Sequence, residues 1–454
     1  MSTVSQRLSN LEALFFALDQ PGAPVQLAWL CRLADRLPLT ALRTHVAQRL
    51  DRIPHSRERV EAASSLRSPA WTWDDHFSLS RHVKLVPANA TKLDEILQVC
   101  CRLLEVSWDA RHPFWNVWLI QPARGSSSIL VRAHRGILPF ENEAELLNAI
   151  LDPQPTLTNA TRPRRAPATV PLLETQPREV TLTPSLTSIS RVLRDPYLAV
   201  ERLRTYSESF ISGLRAALTP PPALGSLNGP LSHHIGVDAV EFELNEVRQI
   251  RNRVGGSILE IVLSSIVGGL SRALSDHQSG PSTPELFACV PLTTGSEQDA
   301  HRTGTRATFA IARLPLTTSD PIQRLRRVSA ELDLLRATQV PEQYRRTLDL
   351  MRGAPYAAFR ACLSLLPRTA SVHTICLELP SIRERRYVAG REVTQIVAIP
   401  PLLLDIRVTF AVQTYAARIS VGISVDSNSR LSASRVARAI RAAQRELLEY
   451  AGLA

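Results

Sequence analysis

Residues 152–190 carry no sustained hydrophobic period. The stretch "DPQPTLTNATRPRRAPATVPLLETQPREVTLTPS" is rich in Pro and Thr instead. Proline removes a backbone donor and fixes φ, so neither a helix interior nor a central strand tolerates this spacing. With 454 residues the chain is long enough for two domains of ordinary size. The break therefore predicts two units, 1–151 and 226–454. Between them, 152–225 reads as a linker with a crossover helix, "PYLAVERLRTYSESFISGLRAAL" at 196–218. The "RPRR" inside the linker reads as solvated chain rather than a docking patch.

Both units mix helical and strand periods. Leu42, Val46 and Leu50 share one helical face. Leu93, Ile96, Leu97, Cys100, Leu103 and Leu104 form a stronger amphipathic helix, with Thr91 and Asp94 as its N-cap pairing. "FWNVWLI" (114–120) and "SILVR" (128–132) read as strands. In the second unit, "AVEFEL" alternates as a half-buried strand and "GSILEIVLSSIVGGLSRAL" is a long apolar helix. "LFACVPL" is a buried strand, and "RVTFAVQT" with "RISVGISV" makes a hairpin. Val436, Ile440, Ala443 and Leu447 line a final helix. The expected class is α/β with mixed sheets flanked by helices.

Charge narrows the functions. Net charge is +11, and Lys84 and Lys92 are the only lysines. The arginines are spread evenly, without a helix-turn-helix, zinc knuckle or stacking motif beside them, so nucleic-acid binding is not expected. Attraction to lipid headgroups or coenzyme phosphates stays open. Six cysteines form no CxxC pair, so no metal site is expected and buried free thiols are. No apolar run reaches 18 residues, and the N-terminus lacks a basic region and apolar core, so a cytoplasmic chain without a spanning helix is expected.

Two segments compete for the chemistry. "HHIGVDA" (233–239) resembles the acyl-transfer signature HHxxxDG. It follows a Pro-rich stop and leads straight into a strand, so it reads as a polar loop at a domain entrance. "SSSILVRAHRGILPFENEAELLNAIL" instead places His134 after a strand and before a helix starting near Glu141. A histidine base needs that firm placement, and a neutral imidazole is usable near pH 7.

The surroundings of His134 resemble the bacterial wax ester synthase/diacylglycerol acyltransferase family, relatives of condensation domains and chloramphenicol acetyltransferase. The likeness runs nearly end to end, through "LSNLEALFFALDQPGAPVQLA", "SPAWTWDDHFSLSRHVKLVPA", "HPFWNVWLI", "FACVPLTTG", "DPIQRLRRV" and "AVQTYAARISVGISVD". It implies two chloramphenicol-acetyltransferase-like domains with a tunnel between them. The family's HHxxxDG falls on Ala133, His134, Arg135, Gly136, Ile137, Leu138 and Pro139, which keeps the base and loses the first His, the Asp and the Gly. The family's Asn-Asp falls on Leu259 and Glu260, and its Ser-Asn-Val-Pro-Gly-Pro loop on "LELPSI" (377–382).

The implied reaction is acyl transfer from acyl-CoA to a diacylglycerol or long-chain alcohol, with His134 as general base. Coenzyme A enters as substrate, and no metal or resident cofactor is implied. Arg135, beside the base, is a candidate contact for coenzyme phosphates. Trp115 is a candidate substrate contact, although it and Phe114 also fit the core beneath the strand. Trp71 and Trp73 read as core before acyl pocket. Two other readings stand beside the enzyme: an impaired paralogue that binds acyl chains or acyl-CoA, and an acyltransferase for a polyketide or sugar hydroxyl. A lipid substrate implies work at a membrane or lipid-droplet surface, reached peripherally.

Overall fold

Alternating and continuous apolar runs become strands in a computed structural model. It describes residues 6–19, 23–61, 68–138, 144–155, 224–232, 234–275, 285–293, 307–338, 356, 359–360 and 372–453. The linker beyond 155, the expected helix at 196–218, Pro139 and His233 lie outside them.

In chain order the first strands are β1 (Gln6–Arg7), β2 (Gln26–Leu33), β3 (Glu58–Glu61), β4 (Ala70–Trp73), β5 (Val83–Pro87), β6 (Trp115–Gln121) and β7 (Ser128–His134). There follow β8 (Ile235–Glu243), β9 (Glu285–Thr293), β10 (Ala307–Pro315), β11 (Thr374–Ile382), β12 (Tyr387–Val388), β13 (Arg391–Ile399), β14 (Val408–Tyr415) and β15 (Arg418–Asp426). One six-stranded sheet has the order β12-β13-β2-β7-β6-β5, and another β10-β9-β11-β14-β15-β8. A small sheet, β1-β4-β3, sits beside the first. The mixed α/β fold expected from sequence is the one observed.

Helices α1 (Asn10–Ala17), α2 (Leu39–Ala47), α3 (Leu79–His82), α4 (Leu93–Leu104) and α5 (Glu145–Ile150) accompany the first sheet. The apolar stripe of α4 buries Ile96, Leu97, Cys100 and Leu104. Its N-terminus differs from the expected Thr91–Asp94 pairing. Glu95 reaches back and accepts from the backbone N–H groups of Thr91 and Lys92. A carboxylate one residue further along the helix has the better reach to those orphan donors.

The first sheet is not built from the first third of the chain alone. A boundary at 226 groups 387–399 with the second unit, but β13 pairs antiparallel with β2, with Ile399 opposite Ala28. Nothing in the residues 391–399 names a partner so distant in sequence. "LELPSI", expected as a loop, lies in β11, which shifts register between Leu379 and Ile382.

Strand β15 shows how the two sheets meet. Ile419, Val421, Ile423 and Val425 enter the second core. The alternate residues face β13. Ser420 donates to the Ile396 carbonyl at 2.8 Å, and Ser424 to the Pro400 carbonyl at 2.8 Å. Between them a Cβ on Gly422 would fall 1.7 Å from the Ala398 oxygen. Only a residue without a side chain permits that backbone approach.

The helix Ile258–Ser275 is long and apolar enough to cross a bilayer by length and composition. Here it is 78% buried inside the fold. It packs with the C-terminal helix Ala433–Tyr450 in the core of the second sheet.

Candidate active site

His134 closes β7, which is buried along its whole length. Its backbone N–H donates to the Phe114 carbonyl at 3.0 Å, holding the strand end to β6. The ring lies flat on Phe16, with centroids 4.1 Å apart. Gly136 makes room for that stack, because a Cβ there would fall 2.4 Å from the Phe16 ring.

Both ring nitrogens are engaged. The Gly136 backbone N–H donates to Nδ1 at 3.0 Å. A backbone amide only donates, so Nδ1 carries no proton and the ring proton of the neutral imidazole sits on Nε2. Nε2 faces both oxygens of Asp19, each at 3.0 Å. Asp19 Oδ1 also accepts from the Val25 N–H at 2.8 Å, which anchors the carboxylate to the start of β2. The imidazole is fully sealed, whereas the side chain of Asp19 is 32% exposed. A reacting hydroxyl arriving from solvent meets the carboxylate first and the ring behind it. Asp19 was not singled out in the sequence. It lies in the aperiodic "LDQPG", far along the chain from the strand it serves.

The other expected residues turn inward. Arg135 donates to the Leu138 carbonyl at 2.8 Å, and its guanidinium lies 4.6 Å from the centre of the Phe15 ring. It thereby holds the turn after β7. Leu138, where the family has Asp, is packed into the first core. Trp115 is fully buried, donates its indole N–H to the Ser56 carbonyl at 2.9 Å and stacks on His82. Its contacts are those of a core residue. Trp71 is buried and Trp73 exposed.

Glu260, in the family's Asn-Asp position, is structural. It accepts from the Ser257 N–H at 2.9 Å, Ser329 Oγ at 2.9 Å and Arg336 at 2.8 Å. Burial works to raise its pKa, and those donors outweigh it and hold the carboxyl below its ordinary value.

A small cleft opens between the two sheets. Pro24, Gln26, Glu105, Ser232, His234 and Asp426 are among its lining residues. His234 lines the cleft, while neither His134 nor Asp19 is among its lining residues. His234 is 71% exposed in its side chain and pairs with Glu105 at 3.3 Å. Ile235 after it opens β8, and Asp238 lies within that strand, so "HHIGVDA" builds no strand–turn–helix site. Among the described residues no cluster of three or more His, Cys, Asp or Glu is placed to hold a metal ion.

Known proteins share this architecture. Residues 8–262 match the model of the wax ester synthase/diacylglycerol acyltransferase catalytic domain, and 303–447 that of the C-terminal domain of the same family. A protein of Mycobacterium tuberculosis strain H37Rv, named as a diacylglycerol O-acyltransferase, is 24% identical over 443 residues, covering 95% of this chain and 90% of its own. The wax ester synthase/diacylglycerol acyltransferase from Marinobacter aquaeolei VT8 superposes with a TM-score of 0.66 at 17% identity, over 99% of this chain and 100% of that one. The first condensation domain of the calcium-dependent antibiotic synthetase gives a TM-score of 0.61 at 12% identity, over 99% and 97%. Together the two family models span most of the sequence, and the chain belongs to the wax ester synthase/diacylglycerol acyltransferase family of acyltransferases.

Proposed function

We propose that the chain transfers an acyl group from a coenzyme A thioester to the hydroxyl of a diacylglycerol or long-chain alcohol, with His134 and Asp19 together as the base. The observation that carries this reading is the Asp19–His134 pair at the end of β7. The sequence expectation assigns the proton to His134 alone. With Nδ1 taken by Gly136 and Nε2 by Asp19, the pair is the better unit. The acceptor proton passes to the open side of the Asp19 carboxylate, which the Nε2–H holds in place. The acceptor oxygen then bonds to the thioester carbon, the C–S bond breaks, and the thiolate takes the proton back from the pair. A base placed this way contributes about 10²–10⁴ in rate.

The test is labelled acyl-CoA incubated with diacylglycerol, long-chain alcohols, and sugar and polyketide hydroxyls. His134→Ala and Asp19→Asn are each expected to lose at least about 10² in turnover. Variants as active as wild type would remove the pair from the chemistry. A different preferred hydroxyl would change the acceptor and keep the reaction.

A second reading, a non-catalytic binder of acyl chains or acyl-CoA, is favoured by the complete burial of His134. It predicts acyl-CoA binding with no turnover on any alcohol. We also propose cytoplasmic, peripheral association with a membrane or lipid-droplet surface through surface Arg. Flotation with anionic vesicles should then weaken with salt, since such attraction is screened within roughly 8 Å at physiological ionic strength. Binding indifferent to salt would count against it.

A further inference from the structure

Two consecutive residues of α1 lie over the two consecutive residues that end β7 and follow it. The Arg135 guanidinium sits 4.6 Å from the centre of the Phe15 ring. Phe16 lies on His134 with 4.1 Å between centroids and 11° between planes. The chain is tied down where it enters the helix, since the Leu8 N–H donates to the Pro69 carbonyl at 2.9 Å. Leu11 and Ala13 then bury the first turns. The other end of α1 meets the site through these two rings, and then through Asp19.

The hydrogen bonds on His134 leave one motion of the imidazole open. Nδ1 accepts from Gly136 and Nε2 faces Asp19. A hydrogen bond to a ring nitrogen runs in the plane of the ring. Two such bonds fix where the ring sits, but it still rocks about the line through its nitrogens. A flat partner on one face stops that motion, because a tilt in a close-packed interior drives an edge of the imidazole into the partner.

Such a partner is useful only if its own plane is held. Trp71 and Phe114 hold that of Phe16. Their centroids lie 6.2 Å and 5.1 Å away, with interplanar angles of 69° and 67°. Edge-to-face contacts of this kind are a favoured arrangement of aromatic pairs. Trp71 comes from β4, and Phe114 immediately precedes β6. The plane of the imidazole is therefore set from two elements other than its own strand. A phenylalanine that only filled the core would serve at any tilt. This one lies nearly parallel to a ring whose two nitrogens are both engaged.

We propose that Phe16 is a positioning residue of the acyl-transfer base. Its ring holds the His134 imidazole in the plane in which Nε2–H meets the Asp19 carboxylate. The kinetic part of the proposal rests on the acyl-transfer reading, and the spectroscopic part does not. The test uses the full chain with isotope-labelled histidine, wild type beside Phe16→Leu, and His134→Ala to assign the signals. Protons over the face of a phenyl ring are shielded. The ring C–H resonances of His134 should therefore lie upfield of those of exposed His234, and Phe16→Leu should move them downfield. With labelled acyl-CoA and a panel of hydroxyl acceptors, the variant should lose up to about 10² in kcat at unchanged KM for acyl-CoA. Loss of packing alone would lower the urea midpoint and leave kcat of the folded protein where it was.

Wild-type His134 resonances no further upfield than those of His234 overturn the proposal, even if the variant fails to fold. So does a folded Phe16→Leu variant with wild-type kcat, or one whose loss lies in KM. Upfield resonances that Phe16→Leu moves, in a wild type without turnover on any hydroxyl, would sink the acyl-transfer reading and leave the placement of the ring by Phe16 standing.

Discussion

His82 and His134 are both buried imidazoles against the first sheet, and they have opposite fates. Each stacks on an aromatic ring, His82 on Trp115 at 4.6 Å and His134 on Phe16 at 4.1 Å. His82 donates through Nδ1 to the Trp115 carbonyl at 2.8 Å, and its Nε2 has no partner. Burial pushes its pKa down to about 4, against the Trp115 hydrogen bond that works to raise it. Such a ring stays neutral and packs. His134 has the same burial and a carboxylate across Nε2. The two rings differ in that carboxylate rather than in depth.

The sharpest way to test that contrast is acid. His82 titrates at about 4 in the fold, while an ordinary histidine titrates near 6.5 when unfolded. Below 6.5 the unfolded chain gains a proton that the fold refuses. The stability linked to His82 is therefore complete above pH 6.5 and declines as pH falls toward 4, by on the order of 3 kcal/mol at 1.36 kcal/mol per unit. His45, lowered by burial first, adds in the same direction. Urea unfolding of wild type and His82→Gln at pH 7 and pH 4.5 reads this. An acid loss equally steep in the variant would break the contrast.

A smaller effect comes from the other side. Asp19→Ala leaves the sealed Nε2–H of His134 without an acceptor, which should destabilise by about 1–3 kcal/mol at pH 7. An unmoved urea midpoint would mean that the pair does not hold the ring.

The smallest effect is expected at Gln26. Gln26→Leu removes an acceptor that has no partner and a donor to the Leu104 carbonyl. That carbonyl still accepts from Arg132 at 3.3 Å. The change should therefore stay under about 1 kcal/mol. A loss as large as that of Asp19→Ala would show that Oε1 was already satisfied.

Periodicity made much of this fold legible. The stripe of α4, the burial of β7 and the β14–β15 hairpin follow from which residues avoid water, and spacing reports that directly. His134 was legible because a strand end before a turn is a local feature. Asp19 and Phe16 were not. Their importance comes from a partner over a hundred residues away, and neither breaks a local pattern. Residue spacing also marked Ser420, Gly422 and Ser424 only as the alternate face of a strand. Their task depends on β13, whose own pairing with β2 no local signal announces.

That pairing has a consequence for how the protein is made. Translation delivers β2 long before β13, and β7 can pair with one of its edges soon after β2 is made. Its other edge waits for β13, which ends at Ile399. Until then the ribosome holds a nascent chain whose "QLAWLCRL" strand offers bare backbone donors and acceptors beside an apolar face. An open edge of that kind recruits any extended segment it meets. The first sheet thus cannot finish folding until β13 has been made, most of the chain after β2, and a stalled or truncated message would release an aggregation template rather than a free domain.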